Sequence, residues 1–176
     1  LDPARVAVIE DFGGRIEPLD PIGAEVHDID LSGEEPPAEV LQALEAEMAH
    51  RGFLVFRNRQ QLEPEDFLSA SCWWGGRELH STHGMHPATP GRNEHIFRLS
   101  NDRRHGIPGV GPQWHNDGSF NAATFSHAGY HIIRPAEKGG GTWYAHQGAA
   151  HDALPEERRE FWGRLSSVNS TTGVVH

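Results

Sequence analysis

The stretch Trp114-His115-Asn116-Asp117-Gly118-Ser119-Phe120 constrains this chain more than any other. It sets an imidazole and a carboxylate two positions apart, followed by a glycine, a hydroxyl and an aromatic ring. On a strand, residues i and i+2 project from one face, so His115 and Asp117 could grip one ion while Asn116 turns away. A helix would splay the pair, so the spacing predicts extended chain here. A His and an Asp presented together are two of the three ligands of the 2-His-1-carboxylate arrangement, which binds non-haem Fe(II) and leaves coordination positions open. The same letters also describe a His and an Asp hydrogen-bonded beside a turn. The spacing alone does not choose between the two.

Composition narrows the field. A chain of 176 residues suits one domain with a real core. Its formal charge of −10 argues against a nucleic-acid binder, which needs a basic face. Cys72 is the single cysteine, which excludes intrachain disulfides and a thiolate zinc cluster, whereas 13 histidines leave imidazole ligands in supply. The longest apolar run, Gly52 to Phe56, is a strand and no membrane span. No signal-peptide pattern is visible, so a cytoplasmic location is the expectation.

Residues 15–19 and 24–31 read as two strands joined by a turn at Pro21 to Gly23. Pro36-Pro37 introduces a helix over 38–50, with Val40, Leu41, Leu44 and Met48 as its core stripe and Gly52 as its stop. A short apolar strand at 53–57, expected deep in a sheet, precedes a second helix over 63–74. The span from Gly75 to about Gly111 is rich in Gly, Pro and His, with one strand-like piece at 95–99; so long an irregular stretch is usually functional. Further strands are expected at 125–133 and 142–145, around the turn Gly139-Gly140-Gly141. A last helix opens at Pro155, with Phe161, Trp162 and Leu165 as its apolar face. The order is that of an α+β domain with a β-sandwich or jelly-roll core and flanking helices.

Trp-His-x-Asp-x-Ser-Phe at 114–120, followed by Gly139-Gly140-Gly141-Thr142, resembles the taurine dioxygenase-like (TauD/TfdA) family. Supporting matches are Pro18-x-x-Pro21-x-Gly23-Ala24 with Asp30-Leu31, the unit ending Arg51 to Arg57, and Leu62 to Phe67. The resemblance implies a double-stranded β-helix, the cupin-like jelly-roll, and an Fe(II)-dependent dioxygenase that uses 2-oxoglutarate and O2 as co-substrates. It implies that His115 and Asp117 are iron ligands and that the Thr142 hydroxyl helps hold a 2-oxoglutarate carboxylate. Trp114 and Phe120 match aromatics flanking the iron segment, which pack there or shape the pocket. Two departures stand out: Gly141, where relatives often carry Asp, and Gly111-Pro112-Gln113, which lacks the asparagine that contacts taurine in the taurine enzyme.

Val168 to His176 resembles the middle of such a protein. The family's distal histidine ligand and its 2-oxoglutarate-binding arginine are therefore expected beyond His176. On that reading residues 1–176 form one domain, the N-terminal portion, about two thirds, of a family member with its jelly-roll incomplete. The expected reaction is hydroxylation of a small anionic substrate (sulfonate, sulfate ester or aryloxyacid) with release of succinate and CO2. The expected partner is that small molecule, with neither nucleic acid nor membrane; a homo-oligomer stays open. Two alternatives share the residues: a cupin-like metal hydrolase or isomerase, and a non-catalytic binding or assembly module. Rival clusters read more plainly. His80-Ser81-Thr82-His83-Gly84-Met85-His86 fits a polar loop, His127 and His131 share a face of an expected strand as candidate third ligands, and Asp102-Arg103-Arg104-His105 fits an exposed turn.

Overall fold

The computed structural model describes residues 1–57, 61–76 and 85–169. The chain divides into two units: residues 1–74 with 131–166, and residues 75–130 with the remainder.

The first unit opens with helix α1 (Pro3–Asp11), which the sequence reading passes over. Its start is locally encoded. The Asp2 side chain accepts from the backbone N–H groups of Ala4 (2.9 Å) and Arg5 (3.4 Å), and Pro3 occupies the first turn, where its missing N–H costs nothing. Strands β1 (Arg15–Pro18) and β2 (Ala24–His27) follow, then helix α2 (Ala38–Arg51) and strand β3 (Leu54–Phe56). β1 and β2 pair antiparallel with Ile16 opposite Val26, and β2 and β3 pair parallel with Val26 opposite Phe56. The parallel pair requires a crossover, and α2 supplies it.

β2 ends four residues short of the expected Leu31 because Asp28 adopts φ +60°, a left-handed conformation that a ladder does not accommodate. Ile29 still turns inward and is buried. β3, expected deep in a sheet, is only half-buried, because β2 takes the central place and leaves β3 at an edge. α2 ends at Gly52, whose φ of +94° lets its N–H reach Met48 O at 2.7 Å. Helix α3 (Pro64–Ser71) stops before the expected Trp74. Its last turn tightens, with Cys72 N–H bonding Ser69 O and Trp73 N–H bonding Ala70 O.

Ile9, Ile16, Val26, Ile29, Val40, Leu41, Leu44 and Trp73 form one core between the sheet and α1, α2 and α3. The expected stripe of α2 is correct at Val40, Leu41 and Leu44. Met48 is half-buried, and its neighbour Glu47 is fully enclosed instead. Glu47 faces inward because α1 brings it partners: Asp2 N–H at 2.9 Å from Oε1 and Arg5 Nη1 at 3.1 Å. Further along the chain, α4 (Gln147–Asp152) is capped by the His146 ring, and α5 (Glu156–Trp162) follows. The apolar face expected on α5 exists, but Phe161, Trp162 and Leu165 are exposed.

In the second unit a short 3-10 turn (Pro90–Arg92) precedes a loop closed by a bridge between Leu99 and Ile107. Arg98 Nε donates to His105 O at 2.6 Å across it. The expected strand at 95–99 is reduced to that single bridge. The described residues thus form an α+β protein whose sheet has three strands, and they do not display the expected jelly-roll. The strands expected around His115, at 125–133 and at 142–145 are irregular chain. β-formers such as Trp143 and Tyr144 become a strand only when paired in a ladder, and 142–145 is not part of the three-stranded sheet. No helix among the described residues is long and apolar enough to cross a membrane.

Candidate metal-binding site

His115 and Asp117 meet without a strand. Gln113 to Asn116 is irregular, and Asp117 opens a turn through Phe120 in which Asn121 N–H reaches Gly118 O at 2.9 Å. Gly118 sits at φ +69°, and a Cβ there would stand 2.5 Å from the Phe125 ring. The turn therefore closes against Phe125 only with glycine at 118. It does what the expected strand would have done by another route: the backbone folds back, and His115 Nε2 lies 3.2 Å from Asp117 Oδ1.

Hydrogen bonds on the outer side of the pair decide what it can hold. His115 Nδ1 is 2.6 Å from the carbonyl oxygen of Gln113. A carbonyl only accepts, so Nδ1 carries a proton, and in the neutral ring Nε2 presents a lone pair. That lone pair faces a carboxylate oxygen. Two acceptors so close are held by a shared cation, either a proton on Nε2 or a metal ion. Two ligands each about 2.1 Å from one ion and at right angles stand about 3.0 Å apart, close to the spacing seen here. The other carboxylate oxygen, Asp117 Oδ2, accepts from the Tyr130 hydroxyl. A ring whose distal N–H bonds a carbonyl, beside a carboxylate that is itself hydrogen-bonded, is the usual surrounding of a metal ligand pair. The donor set, one imidazole and one carboxylate, suits a divalent first-row ion such as Fe(II). Both side chains are open to solvent, His115 at 51% and Asp117 at 33%, so an ion and a small molecule have access. Among the described residues no group of three His, Cys, Asp or Glu side chains is placed to hold a metal ion.

The other expected participants fare differently. Trp114 is 72% exposed and Phe120 half-buried. Thr142 belongs to the first unit, exposed on the segment that follows the Gly139-Gly140 turn and leads to α4. His127, with Ser126 Oγ at 2.8 Å from Nδ1, belongs to the second unit, and His131 belongs to the first and lies against Phe67. They share no strand face, because the strand expected to align them is absent. Of the His80–His86 run, residues 80–84 lie outside the described residues. His86 has both ring nitrogens engaged, Nδ1 by Ala88 N–H at 3.0 Å and Nε2 by Arg103 O at 2.9 Å. That leaves it no lone pair for a metal. The basic look of 102–105 is offset from within, because Asp102 pairs with Arg104 at 2.6 Å. Hydrogen bonds from Arg104 hold the Asp102 carboxyl below the usual aspartate range.

Sequence reading misses Tyr130 and the Gln113 carbonyl. Tyr130 stands 13 residues from Asp117, in a stretch expected to be strand, and no local pattern joins them.

The imidazole–carboxylate pair, supported from behind and open in front, is the feature that the chain's relatives must be set beside. The chain belongs to the taurine catabolism dioxygenase TauD, TfdA family, which matches residues 15–176. Proteins of this family are, as a general kind, iron- and 2-oxoglutarate-dependent dioxygenases with a cupin-like fold. No curated protein and no solved structure matches the chain.

Proposed function

We propose that the protein hydroxylates a small anionic organic substrate, of the sulfonate, sulfate ester or aryloxyacid type, using Fe(II), 2-oxoglutarate and O2 and releasing succinate and CO2. Family membership supports the general chemistry. The observation that carries the reading to particular residues is the approach of His115 Nε2 to Asp117 Oδ1 with Nδ1 tied to Gln113 O.

In this reading His115 and Asp117 hold the iron, which supplies the activation of O2 when bound. The bond from His115 Nδ1–H to Gln113 O selects the neutral tautomer whose Nε2 lone pair can coordinate. Asp117 offers Oδ1 and contributes a negative charge that partly neutralises a divalent cation. The Thr142 hydroxyl donates to a carboxylate of 2-oxoglutarate. The third protein ligand and the cation that meets the other end of 2-oxoglutarate are further residues that this chemistry requires.

The test is succinate formation from 2-oxoglutarate by the full-length protein with Fe(II), over a panel of sulfonates, sulfate esters and aryloxyacids. Stimulation by one class, abolished in His115→Ala and Asp117→Ala, is the expected result. Iron-dependent turnover retained in either variant would sink the assignment. Substrate turnover without 2-oxoglutarate or O2 would favour a metal hydrolase or isomerase instead.

A further inference from the structure

The two oxygens of Asp117 have separate occupations. Oδ1 faces His115 Nε2, and Oδ2 accepts from the Tyr130 hydroxyl. A carboxylate can bind a metal through one oxygen or through both, and the choice decides how many coordination positions remain. A hydroxyl donating to an ionised carboxylate makes a strong, charge-assisted bond. It competes for the lone pairs that Oδ2 would need for chelation.

We propose that Tyr130 is a positioning residue that restricts Asp117 to coordination through Oδ1, keeping one position on the metal open for a co-substrate that binds through two atoms. The inference rests on the reading of His115 and Asp117 as ligands. Tyr130 is 56% exposed, so its hydroxyl is not there to satisfy a buried core. The backbone adds a second restraint: the turn at 117–120, closed on Gly118, fixes where the Asp117 Cβ points. The phenol then sets the rotation of the carboxyl plane. Without the hydroxyl, Oδ2 is released to swing onto the ion and fill a position that 2-oxoglutarate needs.

The experiment titrates Co(II) into the metal-free full-length protein and follows its visible absorption, for the native protein, Tyr130→Phe and Asp117→Ala. Tyr130→Phe deletes one oxygen from an exposed ring, and equal thermal midpoints of the metal-free forms check that the fold is kept. The proposal expects Tyr130→Phe to bind Co(II) at least as tightly as the native protein, because Asp117 then supplies a second oxygen. It also expects a fainter visible band, because a chelating carboxylate raises the coordination number. Addition of 2-oxoglutarate should shift the native spectrum at concentrations that leave the variant's unchanged. Native affinity and a native spectrum in Tyr130→Phe, with binding lost in Asp117→Ala, would overturn the role of Tyr130 and leave the ligand reading standing. Weaker binding with an unaltered spectrum would overturn it too, marking a merely structural contribution. Failure of the native protein to bind Co(II), or undiminished binding by Asp117→Ala, would overturn the ligand reading and the proposal with it.

Discussion

Arg5 on α1 places Nη1 3.1 Å from Oε1 of Glu47, a side chain on α2 with no exposed surface. The same oxygen accepts from Asp2 N–H, so the entry to α1 is tied to the middle of α2 through one carboxylate. Two segments more than forty positions apart are thereby registered against each other before any side chain of the core is counted.

Removing one member of that pair strands the other. Loss of a partner from a buried ion pair costs about 3–5 kcal/mol. Arg5 is a third exposed and can rehydrate, whereas Glu47 cannot. Arg5→Ala should therefore destabilise at least as much as Glu47→Ala, and Glu47→Gln, which keeps a carbonyl acceptor for Asp2 N–H, should cost least. Urea unfolding midpoints of the three variants check the order; Arg5→Ala close to the native value would contradict it.

Asp2 adds a pH dependence. Its bonds from Ala4 and Arg5 N–H lower its pKa below the ordinary aspartate value. A carboxyl with a depressed folded pKa contributes stability that is present above the unfolded value, about 3.9, and is lost as pH falls through the lower folded value. The stability gap between the native protein and Asp2→Ala should be constant from pH 7 to about 5 and should shrink below about pH 4. Thermal midpoints along that series test it, and a gap that widened on acidification would contradict it.

Gly118→Ala combines two penalties. A non-glycine residue at φ +69° costs roughly 1–2 kcal/mol, and the new methyl would stand 2.5 Å from the Phe125 ring. Gly139→Ala meets the first penalty alone, since nothing lies within 4 Å of its added Cβ. Gly118→Ala should be the more destabilising of the two and should also weaken Co(II) binding; Gly139→Ala should leave that binding unchanged. Equal stabilities would show that Phe125 moves aside freely.

Thr142→Val tests the proposed hydroxyl contact with 2-oxoglutarate. One such bond is worth about 0.5–1.5 kcal/mol, so the apparent affinity should fall roughly 2- to 12-fold with the maximal rate little changed. An unaltered affinity would remove Thr142 from the site.

The first half of the chain was largely legible in its sequence, because its signals are local. Pro36-Pro37 and Gly52 bracket α2, and the apolar spacing of Val40, Leu41 and Leu44 marks its inner face. The start of α1 is equally local in Asp2-Pro3, but the residues that follow carry little periodicity to mark the helix. Glu47 was illegible for a different reason: a carboxylate is buried only when a partner arrives, and Arg5 arrives through tertiary packing. The pairing of His115 with Asp117 was foreseen, but through the wrong backbone. Strand geometry was one way to bring i and i+2 together, and the chain uses a turn closed by Gly118.

By itself, then, the sequence determined the helix starts set by proline, the stop of α2 at Gly52, the family, and the pairing of His115 with Asp117. These depend on residue type and short spacing, which the chain carries wherever it folds. Tertiary structure alone decided that Glu47 is enclosed, that β3 lies at an edge, and that Asp117 shares one oxygen with His115 and the other with Tyr130. Each of those depends on which distant group is brought within about 3 Å, a distance at which hydrogen bonds and ion pairs act and over which sequence separation has no say.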